Sequence, residues 1–235
     1  MTFKRAARGL IAPKIAIMGV SGGGKTYSAL RFARGFVGDA GRIAVLDTEN
    51  GSASLYADLT NFDVQDIQPI KIGDGSTTAF NTADFVVGVQ EAEKAGYDCL
   101  IIDSASQVWS SCLELKARID ANGGNQFTNW KIPKERLAAV KTAILQAKIP
   151  VICCFRAKTE YVLETNEKGS IVPRRVGLAP VASTDWDYDY SLVLSVDRDH
   201  TATVVKSRCS KFDSNFCAIL DETHGATFKA WALGK

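Results

Sequence analysis

"GVSGGGKT", Gly19 to Thr26, decides how this chain folds. It fits the pattern G-x-x-x-x-G-K-[ST]. The apolar run "KIAIM" (Lys14 to Met18) precedes it, and the helical pattern "KTYSALRFARGF" follows from Lys25. Glycines let a backbone wrap an anion with its N–H groups, and a helix N-terminus adds positive potential. Strand, Gly-rich turn and helix in that order read as a phosphate-binding loop for ATP with Mg2+. Gly19, Val20, Ser21, Gly22, Gly23 and Gly24 form the cradle, and Lys25 reaches the β- and γ-phosphates. The Thr26 hydroxyl binds Mg2+, and Tyr27 continues the contact.

Around that loop, strand and helix patterns alternate, which predicts a mostly parallel central sheet flanked by helices. "RIAVLD", "CLIID" and "IPVICCF" are further core strands, nearly all apolar and so buried on both faces. Helices are expected over "TTAFNTADFVVGVQEAEKAG", with Phe80, Ala83, Val86 and Val87 inward, over "SQVWSSCLELKARI", and from Pro133 over "PKERLAAVKTAILQAK". Residues 157–185 are polar without a clear period and read as a long loop, functional or mobile. "YSLVLSV" and "TATVVKSRC" read as a C-terminal β-hairpin, with "AILDE" and "ATFKAWA" as a second one. Residues 1–13 form an N-terminal arm and 14–235 one α/β domain.

Composition narrows the class. The chain has 235 residues, 46% of them hydrophobic, enough to bury a core, and a net charge of +2, so any basic surface is local. Six cysteines lack a C-x-x-C pair and only two histidines occur, a poor composition for a zinc site. The expectation is buried free thiols in a reducing, cytoplasmic setting. No signal-peptide pattern and no apolar run long enough for a membrane span are expected.

Acids for the nucleotide site come from strand ends, where open α/β sheets bind ligands. Asp103 ends "CLIID" and suits the Mg2+ shell, although an Asp there also caps helices. Asp47 and Glu49 follow the second strand in "LDTENG". "VVKSR" (Val204 to Arg208) is different: strand alternation would point Lys206 and Arg208 the same way as Val204. Such a cation pair calls for an anion opposite.

Together "GVSGGGKT", "DTE", "IIDS" and "VVKSR" resemble the RecA-like P-loop NTPase core of recombinases, over most of residues 14–208. The resemblance implies that Glu49 activates the attacking water, Tyr56 stacks on adenine and Asp103 is the Walker B acid. It also implies that Lys206 and Arg208 reach ATP held by a neighbouring copy, so the chain self-assembles head to tail into a ring or filament. "GKTYSAL" and the run Arg156, Lys158, Tyr161 look closer still to small phage-encoded AAA-family ATPases. Some of those are RecA-like single-strand annealing proteins. The γ-phosphate-sensing Gln of RecA has no counterpart, and Arg156 stands in its place.

Two loops would then carry single-stranded DNA: the first with Phe127, Trp130 and Lys131, the second with Lys158, Tyr161, Lys168, Arg174 and Arg175. "FKRA", with Phe3 and Ala6, is similar to the F-x-x-A tether of eukaryotic recombinases. The implied protein is a Mg2+-dependent ATPase that assembles on single-stranded DNA and promotes annealing or recombination, with a single-strand-binding protein as a further partner and no membrane. A ring helicase or helicase loader, and a nucleotide-switched regulator of a protein partner, are the alternatives.

Overall fold

The computed structural model describes residues 3, 5–9, 11–72, 77–165 and 171–235. In chain order the elements are β1 (Lys14–Gly19), α1 (Lys25–Val37), β2 (Ile43–Asp47), β3 (Asp63–Asp66), β4 (Ile70–Ile72), β5 (Thr77–Ala79), α2 (Thr82–Lys94), β6 (Cys99–Asp103) and α3 (Ser106–Ala121). There follow α4 (Lys131–Gln146), β7 (Val151–Thr165), β8 (Ile171–Pro180), β9 (Leu192–Val196), β10 (Thr201–Ser207), β11 (Cys217–Ile219) and α5 (Glu222–Ala232). The sheet runs β11-β10-β9-β1-β7-β6-β2-β3. From β9 to β3 its pairs are parallel; β10 and β11 close one edge antiparallel. This is the RecA-like α/β arrangement expected of the sequence.

Parallel strands buried on both faces divide their side chains between two cores. Ile15, Ile17, Ile101, Ile152 and Cys154 pack towards α1 and α5. Ala16, Met18, Leu100, Ile102, Val151, Cys153 and Phe155 pack with residues of α2, α3 and α4. All six cysteines are free; only Cys217 is exposed. Burial pushes the Cys99 and Cys153 thiols up to about 12, so they stay protonated and inert. Lys14 lies at the bottom of β1, where its Nζ donates to the carbonyls of Ala147 and Ile149 just past α4. Burial lowers its pKa to about 8. No helix among the described residues is long and apolar enough to cross a membrane.

Helices α1 and α5 are in backbone contact. A Cβ on Gly35 would stand 1.8 Å from the Glu222 carbonyl oxygen, and one on Gly225 2.0 Å from that of Phe32. Phe32, Phe212 and Phe228 interlock beside this crossing. Arg31 pairs with Glu222 at its edge.

Four expectations need correction. "ATFKAWA" is not a strand: it lies in α5, where Asp221 caps the helix N-terminus and buries Gly225 and Phe228 at helical spacing. The region 157–185 is not an irregular loop. Its first part pairs as the β7–β8 hairpin, from Ala157↔Pro180 to Thr165↔Ile171. Antiparallel pairing between adjacent segments satisfies that backbone. In α2, Asn81 caps Ala83 and sets the start at Thr82; Phe85, Val89 and Ala92 are the buried face, while Ala83 and Val87 are exposed. Thr77–Ala79 pairs with β4 instead of opening the helix.

The last correction concerns "VVKSR". A bulge shifts the register between Val204 and Lys206, so Val204 pairs with Leu194 but Lys206 with Val193. Leu194 and Val193 belong to opposite cores. The extra residue, Val205, therefore puts Lys206 on the face away from Val204.

Candidate nucleotide site

The loop between β1 and α1 takes its shape from close approach. A Cβ on Gly19 would sit 2.5 Å from the Val196 carbonyl oxygen of β9. Gly22 and Gly24 have φ of 75° and 83°, the left-handed region that glycine enters without cost. Gly24 caps α1 without a side-chain bond, so the N–H groups of the first turn are free for an anion. Lys25 folds back over the loop, its Nζ donating to the Val20 carbonyl at 3.0 Å.

Thr26 and Asp103 are brought together. Thr26 Oγ1 donates to Asp103 Oδ2 at 2.5 Å. Asp103 is 2% exposed, and its other oxygen, Oδ1, is buried with no hydrogen-bond partner. Burial pushes this carboxyl up to about 6, against the pull of the Thr26 hydroxyl. An orphaned buried carboxylate oxygen beside a threonine hydroxyl is a donor set that fits a hard divalent cation. The Asp103–Ser104 peptide is cis.

Asp47, level with Asp103 across the β2–β6 pair, has a structural task. Its Oδ1 accepts from Glu49 N at 2.5 Å and its Oδ2 from Ala53 N at 2.8 Å. It therefore shapes the turn that presents Glu49. The Glu49 carboxylate meets Arg156, with Oε1 3.0 Å from both Nε and Nη2. Gln107, its amide oxygen toward the guanidinium, accepts from Nη2 at 3.2 Å and Nη1 at 3.3 Å. Arg156 is the last β7 residue in register with β1; the hairpin with β8 begins at the next.

Lys25, Thr26, Glu49 and Arg156 line one cleft of about 1030 Å³ together with Tyr27, Leu55, Tyr56, Lys158 and His200. The Tyr27 and Tyr56 rings lie 6.1 Å apart at 71°, which gives the cleft an aromatic wall. Gln107, Leu55 and His200 are among the residues that sequence reading missed. No motif announces them, because each is brought to the site by tertiary packing.

Other expected residues lie elsewhere. Within one chain Lys206 and Arg208 do not line the cleft. Lys206 Nζ donates to the Asp187 carbonyl at 2.5 Å and stands 5.5 Å from the Tyr188 ring centre. Arg208 lies past the end of β10 and is exposed. Trp130 stacks on Trp109 at 5.8 Å and 10°, with Lys116 5.6 Å from its ring, so its own chain covers one face. Phe127 is 88% exposed. Lys131 opens α4 on the surface. Tyr161 and Arg175 are cross-strand partners in the β7–β8 hairpin, with Arg174 beside them; Lys168 lies outside the described residues. Phe3 and Ala6 are both exposed.

The family model described as "AAA domain" matches residues 11–206. Among solved structures, a KaiC-like protein from the hyperthermophilic archaeon Pyrococcus horikoshii is similar in fold, with a TM-score of 0.51 and 14% identity; the match covers 87% of this chain and 84% of that one. No curated protein matches the sequence.

Proposed function

Because this chain belongs to the AAA domain family of P-loop ATPases, we propose that it is a Mg2+-dependent ATPase that assembles on single-stranded DNA and supports strand annealing or recombination. The observation that carries the nucleotide part is that Ser21, Gly22, Gly24, Lys25 and Thr26 of the loop share one cleft with Glu49, and that Thr26 is bonded to Asp103. The loop amides and Lys25 bind the β- and γ-phosphates, and Tyr27 and Tyr56 enclose the adenine. Thr26 and Asp103 would hold Mg2+, which neutralises phosphate charge when bound. Glu49 takes the proton of a water whose oxygen bonds to the γ-phosphorus as the bond to the ADP oxygen breaks.

Arg156 supports the DNA part of the reading. It occupies Glu49 at 3.0 Å and is followed directly by the β7–β8 hairpin. A strand of DNA on that hairpin, near Lys158, Tyr161, Arg174 and Arg175, would shift the strand that holds the base's partner. Phe127 offers an exposed ring for base stacking on the first loop. Fluorescence anisotropy with a labelled single strand should rise with added protein, more so with ATP. No binding in either condition rejects the DNA assignment and leaves the ATPase assignment standing.

Lys206 and Arg208 lie outside their own cleft, as cations serving the ATP of a neighbouring copy would. A head-to-tail contact of this kind gives a ring or filament. Lys206→Ala with Arg208→Ala should abolish turnover, and mixing this variant with Lys25→Ala should restore part of it. Each chain then supplies what the other lacks. Turnover that stays at zero at every mixing ratio rejects the shared site.

A further inference from the structure

We infer that His200, on the turn between β9 and β10, is a phosphate-contacting residue of the nucleotide cleft. The inference rests on the nucleotide reading above and adds a residue from a separate element to it. Its imidazole lines the same cleft as Lys25 and Thr26. The ring lies flush against Gly24: a Cβ there would stand 2.9 Å from His200 Nδ1. That is the glycine whose successor opens α1, at the positive end of the helix. An imidazole presents an N–H donor in either tautomer, and two when protonated.

Its position is fixed by strand pairing and not by a flexible loop. β9 runs in register with β1, Gly19 opposite Val196. A Cβ on Gly23 would lie 3.1 Å from the Asp197 carbonyl oxygen, so the start of the turn rests on the phosphate loop itself. Within the turn, His200 N donates to the Asp197 carbonyl at 3.2 Å, and Asp197 Oδ1 accepts from Asp199 N and Thr201 N at 3.0 Å. The Asp197 carboxylate is thereby engaged by the turn's own amides.

The chemical class follows from what lies where. Tyr27 and Tyr56 supply aromatic rings suited to a base, whereas His200 lies against Gly24 of the phosphate loop. The group it recognises is the polyphosphate chain of a nucleoside triphosphate. His200 immediately precedes β10 and Lys206 lies near its end, so one strand joins the chain's own cleft to the cations proposed for the next.

His200→Asn is the informative variant, since Asn tolerates the left-handed φ of 62° at this position and lacks the imidazole. ATP and inorganic tripolyphosphate would each be titrated against a fluorescent ATP analogue, with thermal unfolding as a check on folding. Both ligands should weaken by the same factor, about tenfold, as expected for one hydrogen bond to a charged group. The unfolding midpoint without nucleotide should stay within a few degrees. Unchanged affinity overturns the inference, and so does weakened ATP with unchanged tripolyphosphate, which would mark a base contact. Wild-type protein that binds neither ligand rejects the nucleotide reading itself, and needs no variant to show it.

Discussion

Glu49→Gln should lower ATP turnover by about 10²- to 10⁴-fold, the usual contribution of a positioned general base. Gln keeps the shape of Glu but cannot take the proton of the attacking water. ATP affinity should change little, because the loop amides, Lys25 and the two tyrosines remain. The variant also breaks the pair with Arg156, whose partners' side chains are 49% and 30% exposed. Ion pairs this open contribute about 1 kcal/mol or less, so the folded state should survive. Hydrolysis at saturating ATP and equilibrium binding of a fluorescent ATP analogue measure the two effects separately. Turnover near wild type would remove Glu49 from the chemistry; lost binding would make it a ligand contact instead.

Gly225→Val should damage the fold severely. The new Cβ would fall 2.0 Å from the Phe32 carbonyl oxygen and 2.7 Å from Phe36 N, both backbone atoms of α1 that no rotamer change can move. The helices must separate, which opens the contacts of Phe228 with Phe32 and Phe36. Overpacking of a tight core costs about 1–3 kcal/mol and more where backbone must shift. In a chain of this size about 3 kcal/mol corresponds to a melting point lower by roughly 10 °C. Because α1 begins at Lys25, nucleotide affinity should fall with it. Thermal unfolding with and without ATP checks both, and a midpoint within two or three degrees of wild type would show that the crossing yields easily.

How far the sequence could be read varied with the physics of each part. The Gly19–Thr26 loop was legible because its chemistry is local: glycine conformations, a lysine and a threonine at fixed spacing between a strand and a helix. Asp103 was legible as the acid closing a run buried on both faces, and the structure brings it to Thr26. The helix α5 was not, because "ATFKAWA" has strand-like composition and its helical face pays off only against α1. The β7–β8 hairpin was missed because its strands pair through the backbone, in a stretch of sequence read as having no clear period.

What the sequence determined by itself was thus the mostly parallel sheet, the phosphate loop and the acids at its strand ends, all set by periodicity and short-range geometry. Only the tertiary structure decided that Arg156 sits on Glu49, that Asp47 builds the Glu49 turn, and that His200 stands against Gly24. It also decided that one extra residue in β10 turns Lys206 away from Val204. These depend on which strands become neighbours, and a bulge reverses a face without leaving a mark in the alternation read along a single strand.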